Sequence, residues 1–109
     1  KVANVPEEEI LEKLLEENYT TQKTPSFYAK KLYITTNYLN RLCKDYRDIT
    51  SGELIRKRIT IEAQRLLHYT SLSVAEVAYK LGFESPSYFI TFFKNNTGTT
   101  PECFRKNNR

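Results

Sequence analysis

Apolar residues recur along the chain at helical spacing and nowhere alternate with polar ones at period two. The pattern predicts an all-α fold of about seven helices with short connections. Ile10, Leu11, Leu14 and Leu15 form one stripe behind Pro6, which suits a first helical position. Glu7, Glu8 and Glu9 favour the positive end of that helix and are expected to stay solvated, away from any ligand. Thr24 and Pro25 open a short helix through "SFYAKKL", and "YITT" turns into another that runs from near Thr36 to about Tyr46. Thr50, with Glu53 three residues on, forms a capping box ahead of a longer helix reaching His68, roughly 27 Å in length. Ser73 and Glu76 repeat that box before "VAEVAYKL". Gly82 marks a turn, Ser85 and Pro86 start the sixth helix, and Gly98 supplies the left-handed residue that ends it. Thr100 and Pro101 open the last, "PECFRK".

Two of these helix pairs match. "TTNYLNRLCKDYRDITS" begins at Thr35 and "SPSYFITFFKNNTGTTP" at Ser85, fifty positions later. Ala29 and Leu32 have the spacing of Ala78 and Leu81; after the turn Tyr38 matches Tyr88, Leu39 Phe89, Leu42 Phe92, Lys44 Lys94 and Thr50 Thr100. The second copy has one extra residue in its turn. A small residue in a short helix, a tight turn and a helix with one apolar side is a helix-turn-helix pattern. Two in register say more than one, which helical proteins contain by accident.

The other face of each second helix carries the candidate chemistry. With Leu39, Leu42 and Cys43 inward, Asn37, Asn40, Arg41 and Lys44 fall on one polar face. With Phe89, Phe92 and Phe93 inward, the matching face is Ser87, Ile90, Thr91 and Lys94. Asn can grip adenine and Arg guanine by paired hydrogen bonds, while Ile90 suits a thymine methyl. Asn37, Asn40, Arg41, Ser87, Ile90 and Thr91 are therefore candidate base readers, and Thr36, Lys44, Ser85 and Lys94 candidate phosphate contacts. The plainer alternative is that both faces are merely solvated.

Charge favours the first reading. Residues 1–18 carry two lysines against six glutamates, whereas residues 19–109 carry fifteen basic and seven acidic side chains. A basic body suits a polyanion. Arg56, Lys57 and Arg58 add a basic cluster on the long helix, placed for phosphate or for solvent alike. Chemistry of other kinds is thinly supplied: one histidine, two cysteines without metal-binding spacing, and no nucleophile motif or phosphate-binding glycine loop. An enzyme and a cofactor are not expected. His68, closing the long helix, reads as a cationic cap, and Cys43 as a small buried residue in preference to a redox sensor. No apolar run approaches the ~18 residues of a membrane span and no signal peptide opens the chain, so a reducing cytoplasm, on the nucleoid, is the expected setting.

The chain resembles the C-terminal DNA-binding domain of AraC/XylS-type transcription regulators from about Glu8 to Lys106. "SVAEVAYKLGFESPSYFITFFKNNTGTTPECFR" follows that family's signature, with Ala78, Gly82, Phe83, Ser85, Tyr88, Phe89, Phe92, Lys94, Gly98, Pro101 and Arg105 as matches. "SFYAKKLYITTNYLNRLCK" looks like the form in Bacteroidetes-like bacteria. The resemblance implies two helix-turn-helix subdomains, residues 1–50 (with the N-terminal helix) and 69–109, joined by a linking helix over 51–68. It implies double-stranded DNA as partner, with recognition helices entering successive major-groove segments about one turn (~34 Å) apart. It also implies an N-terminal sensing or dimerisation domain, RNA polymerase as a further partner and, as the usual role, activation. The absence of Met at position 1 and the linker-like opening "KVANVPEEEI" agree with a preceding domain. Two departures stand out: Thr91 where the family commonly has Arg, and Ile90 where it has a small polar residue, which weakens guanine readout by the second copy. The rival expectation is a protein-interaction module in which only the first copy binds DNA and the second, with Ile90 and its aromatic-rich helix, docks on a sensor domain or RNA polymerase.

Overall fold

The computed structural model describes residues 5–108. It is all-helical over that range: α1 (Glu7–Asn18), α2 (Pro25–Lys31), α3 (Thr36–Arg47), α4 (Ser51–Tyr69), α5 (Val74–Lys80), α6 (Pro86–Thr97) and α7 (Pro101–Asn107). The linker expected to lead into the first helix lies partly in residues 1–4, outside the described residues. Pro6 stands just before α1 as its N-cap residue and is not its first helical residue. None of the described helices is long and apolar enough to cross a membrane.

The chain divides into two compact units, Lys1–Ile55 and Arg56–Arg109. The division falls inside α4, so this helix is core material of both units: Leu54 and Ile55 are buried in the first, and Ile59, Ala63, Leu66 and Leu67 in the second. In the first unit Leu11, Leu15, Tyr28, Leu39, Ser51, Leu54 and Ile55 line one small cavity. Tyr28 is 1% exposed, and its hydroxyl escapes an unsatisfied burial by donating to the Gln22 carbonyl at 2.7 Å. In the second unit aromatic rings take the place of these aliphatics. Phe83 lies 5.3 Å from Phe89 and 5.2 Å from Phe92, and Phe93 lies 5.6 Å from Phe104, ring centre to ring centre. Such pairs contribute about 0.5–1.5 kcal/mol each beyond the apolar area they bury.

Local chemistry sets the helix ends. Both capping boxes are present: Glu53 N–H donates to Thr50 Oγ1 while Thr50 N–H donates to the Glu53 carboxylate, and Ser73 and Glu76 do the same. Gly98 is left-handed at φ 85°, as is Asp48, its counterpart after α3, at φ 59°. Arg105 reaches the end of α4, whose last turn also holds His68. Arg105 Nε donates to the Leu67 carbonyl at 2.9 Å and Nη2 to that of Thr70 at 3.4 Å. His68 sets its ring edge-on to Tyr69.

Candidate nucleic-acid interface

The two helix-turn-helix turns are built by the same hydrogen bonds. After α2, Tyr33 turns left-handed at φ 60° and Ile34 N–H donates back to the Ala29 carbonyl at 3.0 Å. After α5, Gly82 turns left-handed at φ 84° and Phe83 N–H donates to the Ala78 carbonyl, also at 3.0 Å. This six-residue closure needs a left-handed residue and welcomes an apolar one after it, and both copies supply that order. The extra residue of the second copy is Glu84, inserted between this closure and the next cap. Thr35 then caps α3 by accepting from Tyr38 N–H, and Ser85 caps α6 by accepting from Tyr88 N–H.

Each reading helix buries one side and bares the other. Leu39 and Cys43 are buried in α3, Phe89 and Phe93 in α6. Asn37, Arg41 and Lys44 are exposed together on α3, and Ser87, Thr91 and Lys94 on α6. The spacing i, i+4, i+7 that joins them is the same in both copies. Among the described arginines, Arg47 is held by Glu12 at 2.6 Å, Arg65 by Glu62 at 2.6 Å, Arg58 pairs with Glu62 at 3.8 Å, and Arg105 is engaged as above. Arg41 and Arg56 hold no such partner. A guanidinium left free in the middle of an exposed polar face is available to a ligand.

Two candidates, Asn40 and Ile90, are less open than expected, and Ser85 and Thr36 stand at the helix starts where they were expected. Asn40 is half-buried, and its Oδ1 accepts both from Ser51 N–H at 2.9 Å and from Ser51 Oγ at 2.5 Å. A backbone N–H can only donate, so the oxygen faces Ser51 and both its lone pairs are used. The paired grip on adenine needs that oxygen as acceptor, so Asn40 would have to release Ser51 to make it. Ile90, at the same register, is half-buried too and does not stand out on the face. Ser85 spends its hydroxyl on the cap of α6. Its register partner is Thr35, whereas Thr36 is the first residue of α3, exposed one place further on.

Tyr38 and Tyr88, a repeat match in the sequence, were not among the candidate contacts. Both are exposed, at 38% and 65%. The signal was present: three residues before Arg41 and Thr91, they flank the same face. Tyr38 donates its hydroxyl to Glu7 Oε1 at 2.9 Å. That hydrogen bond and the negative charge of Glu7 push the phenol above its ordinary range, with Arg41 acting weakly the other way. The expectation that α1 keeps its carboxylates from this face is thereby corrected, since Glu7 edges it. Arg56 and Lys57 are exposed on α4, while Arg58 is half-buried.

Among the described residues no group of three His, Cys, Asp or Glu side chains could hold a metal ion. Burial pushes the Cys43 thiol up to about 11, which removes the thiolate that redox chemistry requires.

Residues 28–107 match a family of known sequences, the helix-turn-helix domain. The chain is 39% identical over 70 residues to a Proteus vulgaris protein named "Probable transcription factor PqrA", covering 64% of this chain and 57% of that one. Among solved structures it is similar to the C-terminal domain of the two-component response regulator yesN from Fusobacterium nucleatum subsp. nucleatum ATCC 25586. That likeness has a TM-score of 0.81 and 33% identity, over 90% of this chain and 96% of the other. It is also similar to the DNA-binding domain of AdpA, a global transcriptional factor solved in complex with a target DNA. Here the TM-score is 0.77 and the identity 26%, over 90% and 87% of the two chains. The chain spans between 26% and 57% of the length of the first two curated relatives it matches.

Proposed function

The chain belongs to the AraC-type helix-turn-helix domains, and from that premise we propose that it binds double-stranded DNA sequence-specifically as part of a bacterial transcription regulator. The carrying observation is a turn built twice with the same hydrogen bonds, each followed by a helix that bares a matched polar triplet ending in lysine. Each unit places its reading helix in its own major-groove segment. Lys44 and Lys94 hold phosphate, which gives affinity and register; Asn37 and Arg41, with Ser87 and Thr91, face base edges and give sequence. Thr36 and the free Arg56 are further candidates for the phosphate backbone.

The wider expectations follow from the same family. A sensing or dimerisation domain on the N-terminal side, contact with RNA polymerase, transcriptional activation, work in the cytoplasm and a Bacteroidetes-like source all belong to this proposal. The reading assigns the domain no reaction and no cofactor. The rival, a second unit devoted to protein docking, drew on Ile90 and the aromatics of α6. Ile90 and Phe92 are half-buried and Phe89 and Phe93 fully buried, so α6 offers such a partner little apolar surface beyond Tyr88.

Footprinting the domain on the DNA upstream of its own gene tests the proposal. Protection of about two turns on one face of the duplex is the expected result. An affinity with no salt dependence, or protection without any sequence preference, would reject it.

A further inference from the structure

The N-termini of α4 and α7 share the threonine cap and the first backbone bond of the helix, and only α4 adds the Glu53 carboxylate of a capping box. Thr50 Oγ1 accepts from Glu53 N–H at 3.2 Å, and Thr100 Oγ1 from Cys103 N–H at 3.2 Å. The Thr50 carbonyl accepts from Leu54 N–H at 3.0 Å, and that of Thr100 from Phe104 N–H at 2.9 Å. The first residue of each helix is buried: Ser51 in one case, Pro101 in the other. The N–H of a first helical residue has no partner within its helix. Ser51 has such an N–H and is 3% exposed, so it needs an acceptor from elsewhere. Asn40 supplies it. Pro101 has no N–H, and the register equivalent of Asn40 is Ile90, which offers no acceptor.

Resting on the DNA-reading proposal above, we infer that Asn40 and Ile90 are positioning residues, each matched to the first residue of the following helix, Ser51 or Pro101, and that neither reads a base. In the first unit the match is an acceptor to a donor; in the second, an apolar side chain to a buried ring. Each pair is self-consistent, and the mixed pairs are not. Isoleucine at position 40 would strand the buried N–H and hydroxyl of Ser51. Asparagine at position 90 would face a proline with nothing to donate. The inference also explains why the second copy departs from polarity at this one place on its face: the departure follows from the proline, not from the ligand. Fixing α3 against the start of α4 sets how Arg41 is presented, so Asn40 acts on recognition through Arg41.

The test transplants one pair into the other unit. Asn40→Ile, Ser51→Pro and the double variant are compared in the full chain by thermal unfolding and by selection of bound sequences from randomised duplex DNA. Asn40→Asp, which keeps an acceptor, serves as the conservative control. Asn40→Ile alone is expected to lower the unfolding midpoint and to weaken the preference at the base pair under Arg41, with the rest of the selected site kept. Asn40→Asp should keep the midpoint, and the double variant should recover both the midpoint and the wild-type selected site. A double variant that unfolds no higher than Asn40→Ile overturns the matched pair. So does an Asn40→Ile variant as stable as wild type. A double variant that is stable yet loses preference at one base pair makes Asn40 a base reader. Wild-type protein that selects no sequence would sink the DNA reading itself, while the unfolding comparison would still decide the pairing.

Discussion

Replacing Arg41 by alanine separates recognition from folding, because this side chain is exposed and none of the ion pairs or hydrogen bonds that occupy Arg47, Arg58, Arg65 and Arg105 involves it. Substitutions at such surface positions change folding stability by no more than about 0.5 kcal/mol. The cost therefore falls on binding. A paired contact to guanine discriminates by about 1–3 kcal/mol, which is about 5- to 150-fold in affinity for the right site. Had Arg41 merely touched phosphate, all sequences would weaken alike, and the slope of log K against log salt would flatten by about 0.9. The two roles are separable by measuring anisotropy on the selected duplex and on a scrambled one across a range of salt. The expected outcome is a collapse in the ratio of the two affinities with the salt slope nearly kept. An unchanged ratio would refute the placement of Arg41 on the base-facing line of α3.

Lys44→Ala and Lys94→Ala are expected to do the reverse, weakening all sequences and flattening the salt slope by about one unit each; a change in base preference would count against their role. Tyr33→Gly should stabilise the first unit by up to about 1 kcal/mol, since a left-handed non-glycine residue costs about 1–2 kcal/mol and glycine gives back part of that in chain entropy. Tyr33 is 94% exposed, so little packing is lost, and a midpoint that fails to rise would refute the assigned strain. Stability should fall at alkaline pH, because burial pushes Cys43 up to about 11 from 9.0 and Tyr28 up to about 12 from 10.0, with Tyr46 raised in the same sense. These groups are neutral when protonated, and the folded state holds their protons more tightly. Their contribution is complete below about pH 9 and is lost as pH rises through 11 and 12. Melting curves should show Cys43→Ala delaying the onset of that fall, and a wild-type midpoint flat to pH 12 would contradict it.

Short-range chemistry made the helix ends legible. Ser73 with Glu76, Thr50 with Glu53, and the left-handed Gly82 and Gly98 each act within four residues, so the types and spacing carried the whole signal. The partners that altered the site lie far apart in sequence: Asn40 and Ser51 are 11 residues apart, Tyr38 and Glu7 31, Arg105 and Leu67 38. No local pattern encodes such pairs. Helical periodicity assigned Arg41 and Thr91 to the open face without ambiguity, because they lie opposite the core. Asn40 and Ile90 lie on the flank, where the same periodicity allows either side and the neighbouring helix decides. Tyr33 was illegible for a different reason: the repeat aligned it with a glycine, but a tyrosine in the left-handed region has no signature of its own.

With Asn40 engaged by Ser51 and Ile90 half-buried, the open faces reduce to Asn37, Arg41 and Lys44 in one unit and Ser87, Thr91 and Lys94 in the other. The lysines are equal, so the hold on phosphate should be equal. The middle positions are not. Arg41 offers a fork of donors that matches the two acceptors of guanine, whereas Thr91 offers one hydroxyl and one methyl, the latter suited to a thymine methyl group. The half-site under the first unit should therefore be strictly specified and contain a guanine, and the half-site under the second should be looser and lean to A·T. Randomising each half separately and selecting bound sequences measures this directly. Thr91 is exposed, so Thr91→Arg adds a guanidinium at the register of Arg41 without disturbing the core, and it should gain a guanine in the second half-site. Equal information in both halves, or an arginine at position 91 that selects no guanine, would mean that the equal backbones do not present equal reading positions.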